Sequence, residues 1–471
     1  MLHPQHPTVR TPAGAVRGLR DAAGEFYRAI PYAAAPTGAG RFREPAPHPG
    51  WSGVRDATRP GPTAPQPARD FGRLDLSPYF GPGWVRGAGY RTVDVRTPAA
   101  DGGNRPVMVF VHGGGFVTGS ARAALYDGRA FSRDGVVLVT VQYRLGVPGF
   151  LSLGNAPDNR GLLDVLLALR WIRDTIALFG GDPGNVTVFG QSAGATLVGG
   201  LLATPAAKGL FHRAIMQSGS GTGAFTPEQA RRVTAAAAAA LGTAPTAEAF
   251  AGVPDERFLE VLPALSGVDL RTETATDPLV GLSPFSLVLP TQPADALGSG
   301  PGGQVDLLIG TNTEEGHLYL VPQGKFETST EADVLALAAA TAQPAGLPAT
   351  APPGERRSKL LGDALFGRGS ERMAAAHARL TAGRTHVYSF AHRSTALDGR
   401  LGATHTVELP FVFDLADRPW LHGETGLLGP APAPGDLAHR VHGAWVRFAR
   451  TGDPGWPART ASSPVVHRFG A

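Results

Sequence analysis

The chain has 471 residues, 42% of them hydrophobic, with 43 basic against 39 acidic side chains and a formal net charge of +4. That composition is too apolar and too weakly charged for a disordered chain, and it is long enough to bury an enzyme-sized core. Lysine occurs only at Lys208, Lys325 and Lys359 and the arginines are scattered without a basic run, which argues against a nucleic-acid partner.

No stretch approaches the ~18 uninterrupted apolar residues of a membrane span, and Met1 to Pro7 carries neither the basic nor the apolar region of an export signal. With zero cysteines, the chain has no disulfide, no thiolate metal site and no cysteine nucleophile. The expectation is a cytoplasmic protein with no membrane partner, and monomer and homodimer stay equally open.

Regular patterning begins near Arg105. Val107–Val111, Val136–Val141 and Val186–Phe189 are short β-branched apolar runs, as central strands of a parallel sheet covered on both faces require. Between the last two, Leu162, Leu166, Leu169, Ile172 and Ile176 recur at helical spacing and predict a helix over 161–179, hence a strand-helix-strand unit. Further strands are expected at Ala214–Gln217, Asp306–Ile309 and His386–Phe390.

Thr226-Pro227-Glu228-Gln229 reads as a capping box with proline at the first helical position, opening a helix that runs through alanines 235–240 to Gly242. The alanine run is a matter of helix propensity. Residues 342–354, rich in Ala and Pro, are expected to form a surface loop. No repeat and no separating linker is visible, so a single domain over 1–471 is expected.

Gly190-Gln191-Ser192-Ala193-Gly194 directly follows the third apolar run and precedes a small, apolar segment, the strand-turn-helix setting of a nucleophile elbow. A sharp turn there needs small flanking residues and would present the Ser192 hydroxyl at a helix N-terminus. His112-Gly113-Gly114-Gly115-Phe116 ends an earlier strand, where backbone N–H groups can be aimed at a developing oxyanion. The amides of Gly114, Gly115 and Ala193 are the candidate donors, each worth about 3–4 kcal/mol of transition-state stabilisation. A dinucleotide site would need G-x-G-x-x-G after the first strand, which Gly113-Gly114-Gly115 does not supply.

With these motifs the chain resembles the type-B carboxylesterases of the α/β-hydrolase fold, the family of cholinesterases and bacterial p-nitrobenzyl esterases. The resemblance also covers Ile30-Pro31-Tyr32-Ala33, Arg41-Phe42, Tyr143-Arg144-Leu145-Gly146, Asn159 to Asp164, Phe179 to Pro183, Gln217-Ser218-Gly219, Gly310 to Gly316, Leu409 to Phe413 and Thr451 to Pro454. It implies a large, mostly parallel central sheet with helices on both faces and insertions that form an active-site gorge.

The family order Ser, Glu, His carries over to Ser192, Glu315 and His405. Glu314 is the rival acid, but the family places its carboxylate immediately before the glycine, here Gly316. His377, His386 and His392 have no comparable setting. Ser218 matches a serine near the acid, either hydrogen-bonded to it or an ordinary core hydroxyl, and Arg144 and Asp164 match a structural ion pair. The resemblance implies neither metal nor cofactor.

Several positions depart from the family. Gln191 stands where many members have Glu, with little expected effect on chemistry. The first disulfide is missing, with Ala64 and Tyr90 near its positions, and so is an acidic residue near Ala88, which leaves Arg41 without its usual partner. Substrate preference is expected to reside in 221–290 and 321–385, and nothing matches a choline site.

The expected function is therefore hydrolysis of small uncharged carboxylic esters through an acyl-Ser192 intermediate, a route that carbamates and aryl amides share. The alternative is a catalytically silent binding protein of the same fold.

Overall fold

The apolar runs named above form the middle of a ten-stranded sheet. The computed structural model describes residues 6–344, 346–380 and 382–470. Its strands are β1 (Thr8–Thr11), β2 (Gly14–Arg17), β3 (Leu19–Asp21), β4 (Gly24–Pro31), β5 (Val54–Asp56), β6 (Thr92–Thr97), β7 (Arg105–Val111), β8 (Val137–Val141), β9 (Gly181–Gln191), β10 (Arg213–Gln217), β11 (Asp306–Asn312), β12 (Thr385–Phe390) and β13 (His467–Phe469).

Strands β1, β2 and β5 make a small separate sheet, and the rest are ordered β13-β12-β11-β10-β9-β7-β8-β6-β4-β3. All neighbours from β8 to β13 are parallel, while β6, β4 and β3 add antiparallel strands at one side.

Successive residues of β7 serve two different cores. Val107, Val109 and Val111 belong to one cluster, with the helices Arg160–Thr175 and Ala193–Ala203, whereas Met108 and Phe110 belong to a second, with the helix Leu437–Thr451. Because strand side chains alternate between faces, this places helices on both sides of the sheet and explains why the strand is apolar throughout.

The predicted helix over 161–179 is α-helical from Arg160 to Thr175 and tightens to a 3₁₀ turn, Ile176–Phe179, before Gly180 at φ 79°. The capping box at Thr226 forms as read: Thr226 Oγ1 accepts from the Gln229 amide at 3.2 Å, and Gln229 Oε1 accepts from the Thr226 amide at 2.9 Å. One expectation is corrected. The loop over 342–354 ends early, because Pro353 starts the helix Pro353–Gly362 at a position where a missing N–H costs nothing; Ala345 lies outside the described residues.

Arg41, left without its usual partner near Ala88, is held by a different one. It pairs with Asp255 in the first turn of the helix Asp255–Ser266, donates to the Val253 carbonyl, and lies 4.5 Å over the Phe258 ring. An acidic side chain is favourable at a helix N-terminus, so Asp255 can supply the missing charge from far along the chain. Beside it, the Arg144 guanidinium bridges both oxygens of Asp164 at 2.8 and 2.9 Å and donates to the carbonyls of Arg41 and Arg43. Among the described residues, no helix is long and apolar enough to cross a membrane.

Candidate active site

All the sequence-predicted site residues except His405 lie just past the C-terminal end of a parallel strand, the side at which open α/β sheets bind ligands, and His405 is brought there by the long connection that follows β12. After β7, the chain turns through His112–Phe116. His112 is fully buried, donates to the Gly113 carbonyl at 2.8 Å and stacks on Tyr143 at 4.5 Å, while the Tyr143 hydroxyl donates to the His112 carbonyl at 2.7 Å. Burial pulls the His112 imidazole down to about 4, so it is neutral and acts as a fixed support for the turn. Gly114 has φ 109°, and a Cβ there would stand 2.0 Å from the Thr118 carbonyl oxygen; the turn admits only glycine at that point.

After β9, Ser192 adopts φ 57° and ψ −126°, a strained conformation for a residue with a side chain. It is held there by its own amide, which donates to Gln217 at 2.9 Å, and by the Thr196 amide, which donates to its carbonyl at 3.0 Å. The helix Ala193–Ala203 begins at the next residue, so its positive end faces the hydroxyl. A Cβ on Gly194 would stand 2.0 Å from the Val111 carbonyl oxygen, which is how the two loops come to share one corner.

After β11, Glu315 is buried and accepts three hydrogen bonds. Its Oε1 takes the Ser218 hydroxyl at 2.5 Å and the Asn312 amide at 2.7 Å, and its Oε2 faces His405 Nδ1 at 2.6 Å. Glu314, the rival acid, points away: it pairs with Arg393 and accepts from the Ala403 amide. Ser218 is thus hydrogen-bonded to the acid and is no idle core hydroxyl. The imidazole of His405, buried to 2% exposure, is stacked flat against Phe366 at 4.2 Å.

Three features of the site escaped the sequence. Gln191 does more than complete a turn: its Oε1 accepts from the Tyr79 hydroxyl at 2.7 Å, and its Nε2 lies 3.2 Å from His405 Nε2. With Nδ1–H directed at Glu315, Nε2 carries a lone pair that this amide fills, while the Ser192 hydroxyl makes no hydrogen bond among the described residues. Behind the acid, Glu408 accepts from Asn312 Nδ2 at 2.7 Å and Gln217 Nε2 at 3.3 Å, and Trp445 donates to Gln217 at 3.1 Å. Burial, with the Glu315 charge nearby, pushes Glu408 up to about 6. Its position three residues after His405 was the available signal. Phe366 sits in a widened π turn, Asp363–Gly367, that no pattern in the sequence announces.

Ser192 and His405 line one cavity of about 320 Å³. Leu279, Leu282 and Ser283 come to it from the segment 221–290, and Lys325, Leu365 and Phe366 from 321–385. A third wall, Arg69 to Phe80, was not anticipated.

This chain matches known proteins along nearly its whole length. A family model described as "Carboxylesterase family" matches residues 5–344. Phenmedipham hydrolase of Pseudarthrobacter oxydans is 35% identical, the alignment covering 98% of this chain and 94% of that one. Para-nitrobenzyl esterase of Bacillus subtilis is also 35% identical, covering 96% and 92%.

Among solved structures, a Geobacillus stearothermophilus carboxylesterase superposes with a TM-score of 0.83 at 33% identity, over 98% of this chain and 96% of the other. A PNB esterase gives a TM-score of 0.84 at 32% identity, over 99% and 96%. The sheet order, the loops at its C-terminal edge and these likenesses agree on one conclusion: the chain has the α/β-hydrolase fold and belongs to the carboxylesterase family, enzymes that hydrolyse carboxylic esters.

Proposed function

We propose that Ser192 is the nucleophile, His405 the general base and acid, and Glu315 the group that orients the imidazole, in a single-domain esterase acting on small carboxylic esters. The observation that carries this reading is the 2.6 Å contact between His405 Nδ1 and Glu315, with His405 and the strained Ser192 opening onto the same cavity.

A serine hydroxyl is a weak nucleophile at neutral pH and needs a base in reach. As an ester enters, His405 Nε2 exchanges Gln191 for the Ser192 hydroxyl; such contacts commonly tighten only when substrate is bound. Ser192 Oγ then attacks the carbonyl carbon and its proton passes to His405 Nε2. Glu315 stabilises the imidazolium without taking the proton.

The oxyanion is received by the amides of Gly114, Gly115 and Ala193, the last at the positive end of its helix. Collapse expels the alcohol, which leaves with the proton from His405. Water repeats the sequence on the acyl-Ser192, its proton going to His405 and then back to Ser192 Oγ as the carboxylic acid departs. Ser218, through Glu315, is a positioning residue.

The test is a series of p-nitrophenyl esters from acetate to decanoate. A cavity of this size predicts a maximum of kcat/KM at short acyl chains, falling by octanoate. A rate that climbs steadily to decanoate would refute the assignment of this cavity as the acyl site.

A further inference from the structure

The cavity over Ser192 carries a cation that no acid neutralises. The charged side chains lining it are Arg69, Lys325 and Asp70. Asp70 already accepts from the Gly72 amide at 2.8 Å, and among the described residues neither Arg69 nor Lys325 forms a salt bridge. Arginines outside this cavity are spent differently: Arg393 on Glu314, Arg400 on Glu327, Arg356 on Glu331. The cavity is left with an excess of one positive charge.

Arg69 also stands close to the chemistry. Its Nη2 lies 3.5 Å from the point where a Cβ on Gly115 would be, directly beside the oxyanion turn. Arg69 is exposed at the rim of the cavity, and the groups packed around its guanidinium desolvate it enough to lower it from its ordinary value. A guanidinium at the rim of a partly apolar cavity, without an ion-pair partner, can receive an acid: its planar donors fit a carboxylate, and the reduced exposure to water on the cavity side strengthens the attraction over that in open water.

Resting on the esterase reading above, and departing from the uncharged substrates expected from the sequence, we propose that Arg69 is a specificity-determining residue that receives an anionic group on the substrate, so that among esters of similar size the enzyme favours those carrying a carboxylate. The carboxylate sits at the mouth, on the acyl or the alcohol side, while the ester carbonyl occupies the oxyanion turn. Lys325 contributes to the field that draws such substrates in.

Two matched pairs test this: p-nitrophenyl hemiglutarate against p-nitrophenyl valerate for the acyl side, and m-(butyryloxy)benzoate against phenyl butyrate for the alcohol side. The quantity read is the ratio of kcat/KM, anionic over neutral. Arg69→Gln is expected to lower that ratio roughly tenfold or more in at least one pair, with Arg69→Lys restoring part of it, as loss of a charge-assisted bidentate contact implies. The wild-type ratio in that pair should also fall as salt rises from low to physiological ionic strength.

A ratio unmoved by Arg69→Gln in both pairs, or wild-type turnover of the neutral esters alone, overturns the assignment of Arg69 and leaves the esterase reading standing. If wild type hydrolyses none of the four esters, the esterase reading falls and this one with it.

Discussion

Replacing Glu315 by glutamine exchanges one carboxylate oxygen for an NH₂ group and should remove most of the activity. The carboxylate accepts from three directions, Ser218 and Asn312 at one oxygen and His405 Nδ1 at the other. A glutamine has one oxygen, and the two donors on the Ser218 side claim it, which turns the NH₂ toward His405. Nδ1 must then accept, the proton moves to Nε2, and the imidazole presents an N–H where Ser192 needs a lone pair.

Because size and burial are unchanged, the fold should persist, and the expected loss is about 10⁴ in kcat, or ~5 kcal/mol of barrier. The assay is p-nitrophenyl butyrate turnover, with the unfolding midpoint measured alongside. A Glu315→Gln enzyme within tenfold of wild type would refute the reasoning, and the companion variant Glu314→Gln, whose partner is Arg393, should retain activity.

Further consequences follow from packing and charge. Gly194→Ala drives a Cβ into the Val111 carbonyl at 2.0 Å, so a loss of about 3 kcal/mol or more is expected in denaturant unfolding, with activity lost at the same time; an unchanged midpoint would contradict the close approach. Arg41→Gln breaks the pair with Asp255 and the contact with Phe258, at a cost of about 1–2 kcal/mol in the same measurement.

Glu408 keeps its proton up to about 6 in the native state, whereas an unfolded glutamate releases it near 4.5. The native state therefore binds more protons across that window, and stability should fall by about 2 kcal/mol as pH rises through it. Glu408→Gln should flatten that slope, leaving the share from Asp94, which burial likewise raises to about 6; an unaltered slope would show that Glu408 is ionised throughout.

The parallel half of the sheet was legible because its strands are buried on both faces, so Val107–Val111 is apolar throughout and Val137–Val141 is broken only by the β-branched Thr140. The antiparallel half was not. Strand β4 contains Glu25 and Arg28, and β6 contains Asp94 and Arg96; Glu25 and Arg96 find ion-pair partners and Asp94 the Ala29 amide only after folding, and neither run is apolar enough to stand out.

Among the site residues, Ser192 and the glycines 114 and 115 are marked by local chain geometry, which constrains sequence directly. Glu315 and His405 sit in loops without periodicity, and only the family resemblance singled them out. Contacts between distant residues left no local trace at all. Asp255 replaces a missing acid near residue 88, Gln191 meets His405 only where two loops converge, and Arg69 reaches the cavity from a proline-rich stretch with no pattern of its own.

Covalent trapping bears most directly on the role of Ser192 as nucleophile. The purified protein is treated with a fluorophosphonate, its intact mass is measured, the adduct is located by peptide mapping, and Ser192→Ala is carried in parallel through the same reaction and through p-nitrophenyl butyrate hydrolysis. One adduct per chain is expected, on Ser192, with labelling and ester turnover both abolished in the variant. An adduct on another residue, or a Ser192→Ala protein that still turns over the ester at the wild-type rate, would contradict that role.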